Sequence, residues 1–259
     1  MLANWANHFT LHSLSPMRLM ELFIIRHGQS QNNVVDESRR TVDPLLTDLG
    51  KQQAEKLAEF LSTNRDVEFN AGSGFAGGEV SQNFGITHLY CSAMHRALQT
   101  AAPLARALGL HPEVWIDVHE QGGMYLTQNG VSTGYPGKTR REILGEFPDY
   151  VLPATITDAG WYDAIRGYEE MHAGAGRAIK VAMELRRRAA GEFKDARVAI
   201  VTHGTFIDLL LKAFMGLLPN RQFFFTHYNT AITRLDFRGE YMLIRYVNRI
   251  DHLPHEMIS

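Results

Sequence analysis

Short apolar-rich runs at 22–25, 86–90, 113–116 and 198–201 alternate along this chain with stretches whose apolar residues recur at helical spacing. The run at 22–25, Leu-Phe-Ile-Ile, is continuous and half β-branched, which predicts a strand buried on both faces. A first helix is predicted after Thr47, a suitable N-cap, with Leu49, Gln53, Leu57 and Leu61 on one stripe. A second covers about 96–108 and stops at Gly109. Ile165, Tyr168, Met171, Ala175, Ala178, Ala182 and Leu185 mark a long third helix, which ends in Arg186-Arg187-Arg188 where positive charge suits the helix dipole. Residues 206–216 supply another, and 231–237 with 241–247, joined by Arg238-Gly239-Glu240, read as a closing hairpin.

Strands alternating with helices imply crossovers and a mostly parallel sheet. The expected architecture is therefore α/β, a three-layer α/β/α sandwich with a C-terminal hairpin. No internal repeat or linker divides it, so 20–250 is expected to be one domain, with an N-terminal extension at 1–19 and a tail at 251–259. Two irregular stretches differ in meaning. The Gly-, Ser- and Asn-rich stretch 64–85 joins a helix to a strand and so leaves from the amino ends of the strands, away from any crevice. Residues 119–162 leave from the carboxyl ends, where ligands bind, and are expected to form a substrate lid carrying Tyr125, Tyr135, Lys138, Arg140, Arg141, Trp161 and Tyr162.

Composition narrows the partners. With 26 Lys plus Arg against 28 Asp plus Glu, the formal charge is −2, so no global field attracts nucleic acid or an anionic membrane. No apolar stretch approaches the length of a membrane span, and the first twenty residues lack the pattern of a secretory signal. The single cysteine, Cys91, excludes an intramolecular disulfide and fits a reducing, cytoplasmic setting, where it reads as a small buried hydrophobe.

Candidate chemistry sits where strands end. Arg26-His27-Gly28 follows the first strand, Arg96 opens the helix after the second, Glu120 follows the third, and Thr202-His203-Gly204 follows the fourth. A parallel sheet would bring all four to one rim, and two arginines with two histidines there make an anion pocket suited to phosphate oxygens. The remaining histidines carry less. His88, His111, His172 and His227 read as surface or satisfied core residues, His119 adjoins Glu120, and His252 with His255 lacks the further ligands of a zinc site.

These motifs in this order resemble the histidine phosphatase superfamily, the phosphoglycerate mutase-like fold. The resemblance rests on Arg26-His27-Gly28, Asn33 six residues after the histidine, Asp43-Pro44-Leu45-Leu46-Thr47-Asp48-Leu49-Gly50, Arg96-Ala97-Leu98-Gln99-Thr100-Ala101 and His203-Gly204, and it spans most of 21–247. It implies that His27 takes the phosphoryl group as a phosphohistidine, with its second ring nitrogen donating to a backbone carbonyl. Arg26, Arg96 and His203 would surround the transferring group, and Asn33 would add a neutral donor. Gln29, Gly204 and Asn229 join them as substrate-binding candidates. Glu120 is the implied general acid, its protonated form favoured by a bound phosphate dianion; Glu113, Asp117 and Glu142 are the alternatives should the loop fold differently. The resemblance implies no metal and no cofactor, a phosphorylated small molecule as partner, and is compatible with a homodimer.

The sequence also departs from the family. Gln29-Ser30 stands where many members carry Glu-Thr, Ala93 replaces a common proline, and Thr205 replaces a frequent glycine. Glu120-Gln121-Gly122-Gly123-Met124-Tyr125 lacks the Glu-Arg-His-Tyr-Gly run of the mutases. A phosphomonoester hydrolase is therefore the first expectation. A phosphoglycerate mutase, favoured by Lys138, Arg140 and Arg141 as a carboxylate clamp, and a weakly catalytic binder of phosphorylated ligands are the alternatives.

Overall fold

The computed structural model of the protein describes residues 20–64, 66 and 83–259. The expected extension at 1–19 and most of the stretch 64–85 lie outside the described residues. In chain order the elements are β1 (Met20–Arg26), α1 (Asp48–Thr63), β2 (His88–Cys91), α2 (His95–Leu108), β3 (Glu113–Val114), β4 (Tyr125–Gln128), β5 (Val131–Gly134), α3 (Arg140–Glu146), α4 (Met171–Ala190), β6 (Arg197–Thr202), α5 (Gly204–Phe214), β7 (Ile232–Arg238) and β8 (Tyr241–Arg249). The main sheet runs β3-β2-β6-β1-β7-β8. Its first four strands are parallel, and β7 and β8 close it as an antiparallel hairpin, the expected fold class.

Alternation along β1 explains the three layers. Phe23 and Ile25 pack with Leu57, Leu61, Leu98 and Leu104 of α1 and α2, while Leu22 and Ile24 pack with Val181, Leu185, Leu210 and Leu211 of α4 and α5. Both faces are dry over Leu22, Phe23, Ile24 and Ile25, which is why that run shows no polar position.

Helix boundaries follow the caps. The Thr47 hydroxyl accepts from the Gly50 N–H at 3.0 Å and starts α1, and Gly109 ends α2 at φ 65°. The long helix α4 is shorter than its periodicity suggests. It starts at Met171, because Gly167 turns the chain at φ 59° and leaves Ile165 fully outside the apolar stripe at 96 % exposure. β3 keeps only two of its four expected residues, since Ile116 already begins a 3-10 turn.

Two motif glycines are sites of backbone contact. A Cβ on Gly28 would lie 2.5 Å from the Gly50 carbonyl oxygen, and one on Gly50 would lie 2.0 Å from that of Gln29. The start of α1 thus rests directly on the turn that follows His27. The C-terminal residues, expected as a tail, are packed against this region: Gln53 Nε2 donates to the Met257 carbonyl at 2.7 Å, and the Asn229 N–H donates to that of Ser259 at 2.9 Å. Among the described residues no helix is long and apolar enough to cross a membrane.

Candidate active site

The parallel register places Arg26 beside Thr202 and Cys91 beside Val201, so His27, Ser92 and His203 emerge side by side at the carboxyl ends of β1, β2 and β6. A cavity of about 330 Å³ opens there, lined at its inner end by Arg26, His27, Asn33, Arg96 and Glu120. The volume suits a small molecule.

The hydrogen bonds of His27 define its tautomer. Nδ1 lies 2.7 Å from the Gly28 carbonyl oxygen, which can only accept, so Nδ1 carries the proton. Arg96 Nε, which can only donate, points at Nε2 from 3.2 Å, so Nε2 holds a lone pair. Burial, then the Arg96 and Arg26 cations, press the imidazole pKa well below 6.5 and keep the ring neutral. His27 therefore presents an unprotonated nitrogen between two guanidinium groups, as a phosphoryl acceptor requires.

The motif residues around it each have a task. Gly28 N–H donates to Thr100 Oγ1 at 3.0 Å, which ties the turn to α2 four residues after Arg96. Gln99 Oε1 accepts from the Leu46 N–H at 2.9 Å and anchors the 43–50 stretch. Arg26 donates through Nη1 to the His227 carbonyl, while its buried Nε has no partner among the described residues. Asn33 turns Oδ1 toward the N–H and hydroxyl of Ser30, both at 2.9 Å, which leaves its Nδ2 donor for the cavity. Glu120 receives the N–H groups of Phe206 at 2.9 Å and Gln121 at 2.9 Å on Oε1, so its carboxylate sits at the N-terminus of α5.

Several expected contacts are not made. His203 is fully buried and does not line the cavity; Ser92 Oγ draws its Nε2 to 2.8 Å, and its ring lies behind that of His27 at 5.0 Å between centroids. Its Nδ1 has no partner among the described residues. Gln29 is turned out of the cavity because its Oε1 accepts from Thr47 Oγ1 at 2.7 Å. Gly204 lies against the Arg26 side chain, and Thr205 takes its place on the wall. Asn229 is 1 % exposed and supports the site from behind, with Nδ2 donating to the His27 carbonyl at 2.9 Å.

The segment 119–162 contributes its first part alone. Gln121, Gly123, Tyr125, Leu126 and Thr127 line the cavity, whereas Tyr135, Lys138, Arg140, Arg141, Trp161 and Tyr162 do not. Lys138 pairs with Glu146 at 3.4 Å, and Arg140 donates to the Pro153 carbonyl at 3.1 Å. Of the alternative acids, Glu142 caps α3 through Thr139, and neither Glu113 nor Asp117 reaches the cavity. His119 is buried against Trp161 and Tyr162 and stays off the cavity wall.

Sequence reading overlooked the outer wall and the supports. Asn32 exchanges two hydrogen bonds with the Thr41 backbone and so fixes a loop that brings Glu37 and Arg40 to the rim. Asn129-Gly130, both at positive φ, form the two-residue turn between β4 and β5, a hairpin signal present in the sequence. Arg177, on α4, is a buried arginine inside the stripe Ala175, Ala178, Ala182; a cation among small core residues was the available sign.

The buried histidines set an acid limit on stability. Burial lowers the pKa of His119 to about 3 and of His252 to about 4, and lowers those of His27, His203 and His227 in the same direction. Each binds its proton more tightly unfolded than folded, so native stability is complete above the ordinary value of 6.5 and declines as pH falls below it. His119 and His252 together should remove about 4 kcal/mol by about pH 5. Thermal melting followed from about pH 7.5 to 5 should show a steadily falling Tm; a flat profile would contradict the buried, neutral assignment.

Paired guanidiniums, a neutral imidazole and a carboxylate at the carboxyl ends of a parallel sheet define an anion-binding α/β protein. The chain belongs to the histidine phosphatase superfamily (branch 1), whose family model matches residues 22–73 and 76–250. It is 28 % identical over 206 residues to a glucosyl-3-phosphoglycerate phosphatase of Mycolicibacterium vanbaalenii, covering 78 % of this chain and 76 % of that protein. It is 24 % identical over 190 residues to phosphoglycerate mutase-like protein 4 of Arabidopsis thaliana, covering 73 % and 69 %. Among solved structures, the fold is similar to that of phosphoserine phosphatase from Entamoeba histolytica in complex with 3-phosphoglyceric acid, with a TM-score of 0.55, 19 % identity and coverage of 91 % and 100 %.

Proposed function

We propose that this protein is a phosphomonoester hydrolase that works through a phosphohistidine on His27. The observation that carries this reading is the tautomer: Nδ1–H is committed to Gly28, and the Nε2 lone pair faces Arg96 inside the cavity. Nε2 attacks phosphorus, forming the N–P bond as the ester P–O bond breaks. Glu120 gives its proton to the departing alkoxide, then takes one from the water that attacks the phosphohistidine and releases phosphate. Arg26, Arg96 and the Nδ2 of Asn33 offset the charge on the equatorial oxygens. His203 acts through His27, fixing the ring from behind.

The rim suits a small, polar alcohol: Asn32, Glu37, Arg40, Thr41 and Thr127 line it together with Tyr125. The relatives named for glucosyl-3-phosphoglycerate and phosphoserine point to the same class, a phosphorylated small metabolite. The placement of Lys138, Arg140 and Arg141 away from the cavity weighs against a mutase, which would need them as a carboxylate clamp.

The test is phosphate release from a panel of esters in the presence of a chelator, with Glu120→Gln alongside. Activity should persist without added metal. Glu120→Gln should slow alkyl esters by about 10²-fold or more and activated aryl esters far less, because only poor leaving groups need the proton. Equal slowing of both would remove Glu120 from the acid role. Phosphoryl exchange between positions of phosphoglycerate without net phosphate release would favour a mutase.

A further inference from the structure

We infer that Arg177, locked by Glu169, is the positioning residue that aims Glu120 at the leaving oxygen; this rests on the acid role proposed above for Glu120. Arg177 projects from α4, and Glu169 lies just before that helix. Arg177 Nε donates to Glu169 Oε1 at 2.9 Å, and Nη2 donates to the other carboxylate oxygen. This bidentate pairing fixes the guanidinium plane. Nη1 then donates to two carbonyls, those of Asp117 and His119, both at 2.8 Å. The backbone immediately before Glu120, a short 3-10 turn, is thus held from outside by a rigid fork as well as by its own hydrogen bonds.

The same guanidinium controls the other segment that holds Glu120. Its plane covers the Phe206 ring, with 4.6 Å from Cζ to the centroid, and the Phe206 N–H is the 2.9 Å donor to Glu120 Oε1. Arg177 therefore touches both the chain that carries the acid and the residue that orients its carboxylate. Glu169 completes the clasp on the far side: its N–H donates to the Gly122 carbonyl at 2.8 Å, and its own carbonyl accepts from Gln121 Nε2 at 2.6 Å. Gly174 permits this approach, since a Cβ there would stand 3.1 Å from Gln121 Cγ and 3.2 Å from Glu169 Oε2.

A buried ion pair contributes little to stability by itself, because desolvation offsets its attraction. What this pair supplies is direction. It spends its remaining donors on the backbone flanking one residue, and a proton donor displaced by a fraction of an ångström loses most of its benefit. Neither Arg177 nor Glu169 lines the cavity, so neither touches substrate.

The experiment compares Arg177→Lys and Glu169→Gln with the unaltered protein on p-nitrophenyl phosphate and on a simple alkyl phosphate, each in the Glu120 and the Glu120→Gln backgrounds. Lysine keeps the charge and loses the fork; glutamine keeps the shape and loses the ion pair, and it carries the test if the lysine variant does not fold. With Glu120 present, kcat on the alkyl ester should fall about tenfold or more, while kcat on the aryl ester changes less than about threefold. In the Glu120→Gln background that selectivity should vanish, as expected for residues acting through one group. Equal loss on both esters, or selectivity that survives without Glu120, would overturn the positioning role. If Glu120→Gln alone showed no leaving-group selectivity, the acid assignment would be what had failed.

Discussion

His27→Ala should lower phosphate release by at least about 10⁴-fold, since on the proposed route it removes the atom to which the phosphoryl group is transferred. No neighbour can substitute. His203 is fully buried, faces Ser92 through Nε2 and is absent from the cavity wall. The variant should remain folded, because His27 is a desolvated ring whose loss leaves the β1 register and the Gly28–Thr100 bond in place. Rapid quenching into alkaline detergent with radiolabelled substrate should trap an acid-labile, alkali-stable phosphoenzyme in the parent protein and none in the variant. A His27→Ala protein that kept a tenth of the parent activity would exclude the phosphohistidine route.

Arg96→Lys should cost about 10²–10³-fold in kcat. The lysine retains a charge but cannot both point a donor at His27 Nε2 and present a second, coplanar donor to a phosphoryl oxygen. A pH profile separates the two tasks of Arg96. Burial contributes most to the depressed pKa of His27, and the Arg96 cation contributes next. Removing the cation, as in Arg96→Met, favours the imidazolium. The acidic limb of kcat/KM should then move upward toward 6.5, whereas in the parent it lies well below. An unmoved limb would show that the charge of Arg96 does not reach the nucleophile.

How much of this was legible in the chain depended on how local each signal was. The 22–25 run announced a central strand because both its faces are dry, and Thr47 and Gly109 announced helix ends because caps are local hydrogen bonds or left-handed residues. The four strand-end motifs could be assigned to one rim because parallel topology dictates it. The details that failed depend on long-range geometry. Nothing in the sequence around His203 reveals that Ser92, 111 residues away, turns it behind His27. Lys138, Arg140 and Arg141 look like a cationic clamp in sequence, but none lines the cavity: Lys138 pairs with Glu146 and Arg140 donates to the Pro153 carbonyl. Ile165 fits the helical stripe of α4, yet Gly167 intervenes. Glu120 could be named from its distance beyond β3, while the clasp that orients it comes from a helix more than fifty residues later.

The pairing of β1 with β6 also fixes when the site can exist. Arg26 leaves the ribosome well before its partners: its strand neighbour Thr202 and the His227 carbonyl that holds it lie 176 and 201 residues further on. At ordinary elongation speeds that gap is on the order of ten seconds or more. Until then the nascent chain carries an apolar strand with no partner on either edge. The cavity is therefore assembled only after residues 202 and 227 have both been made, and its first-made strand is the one that waits longest for shelter.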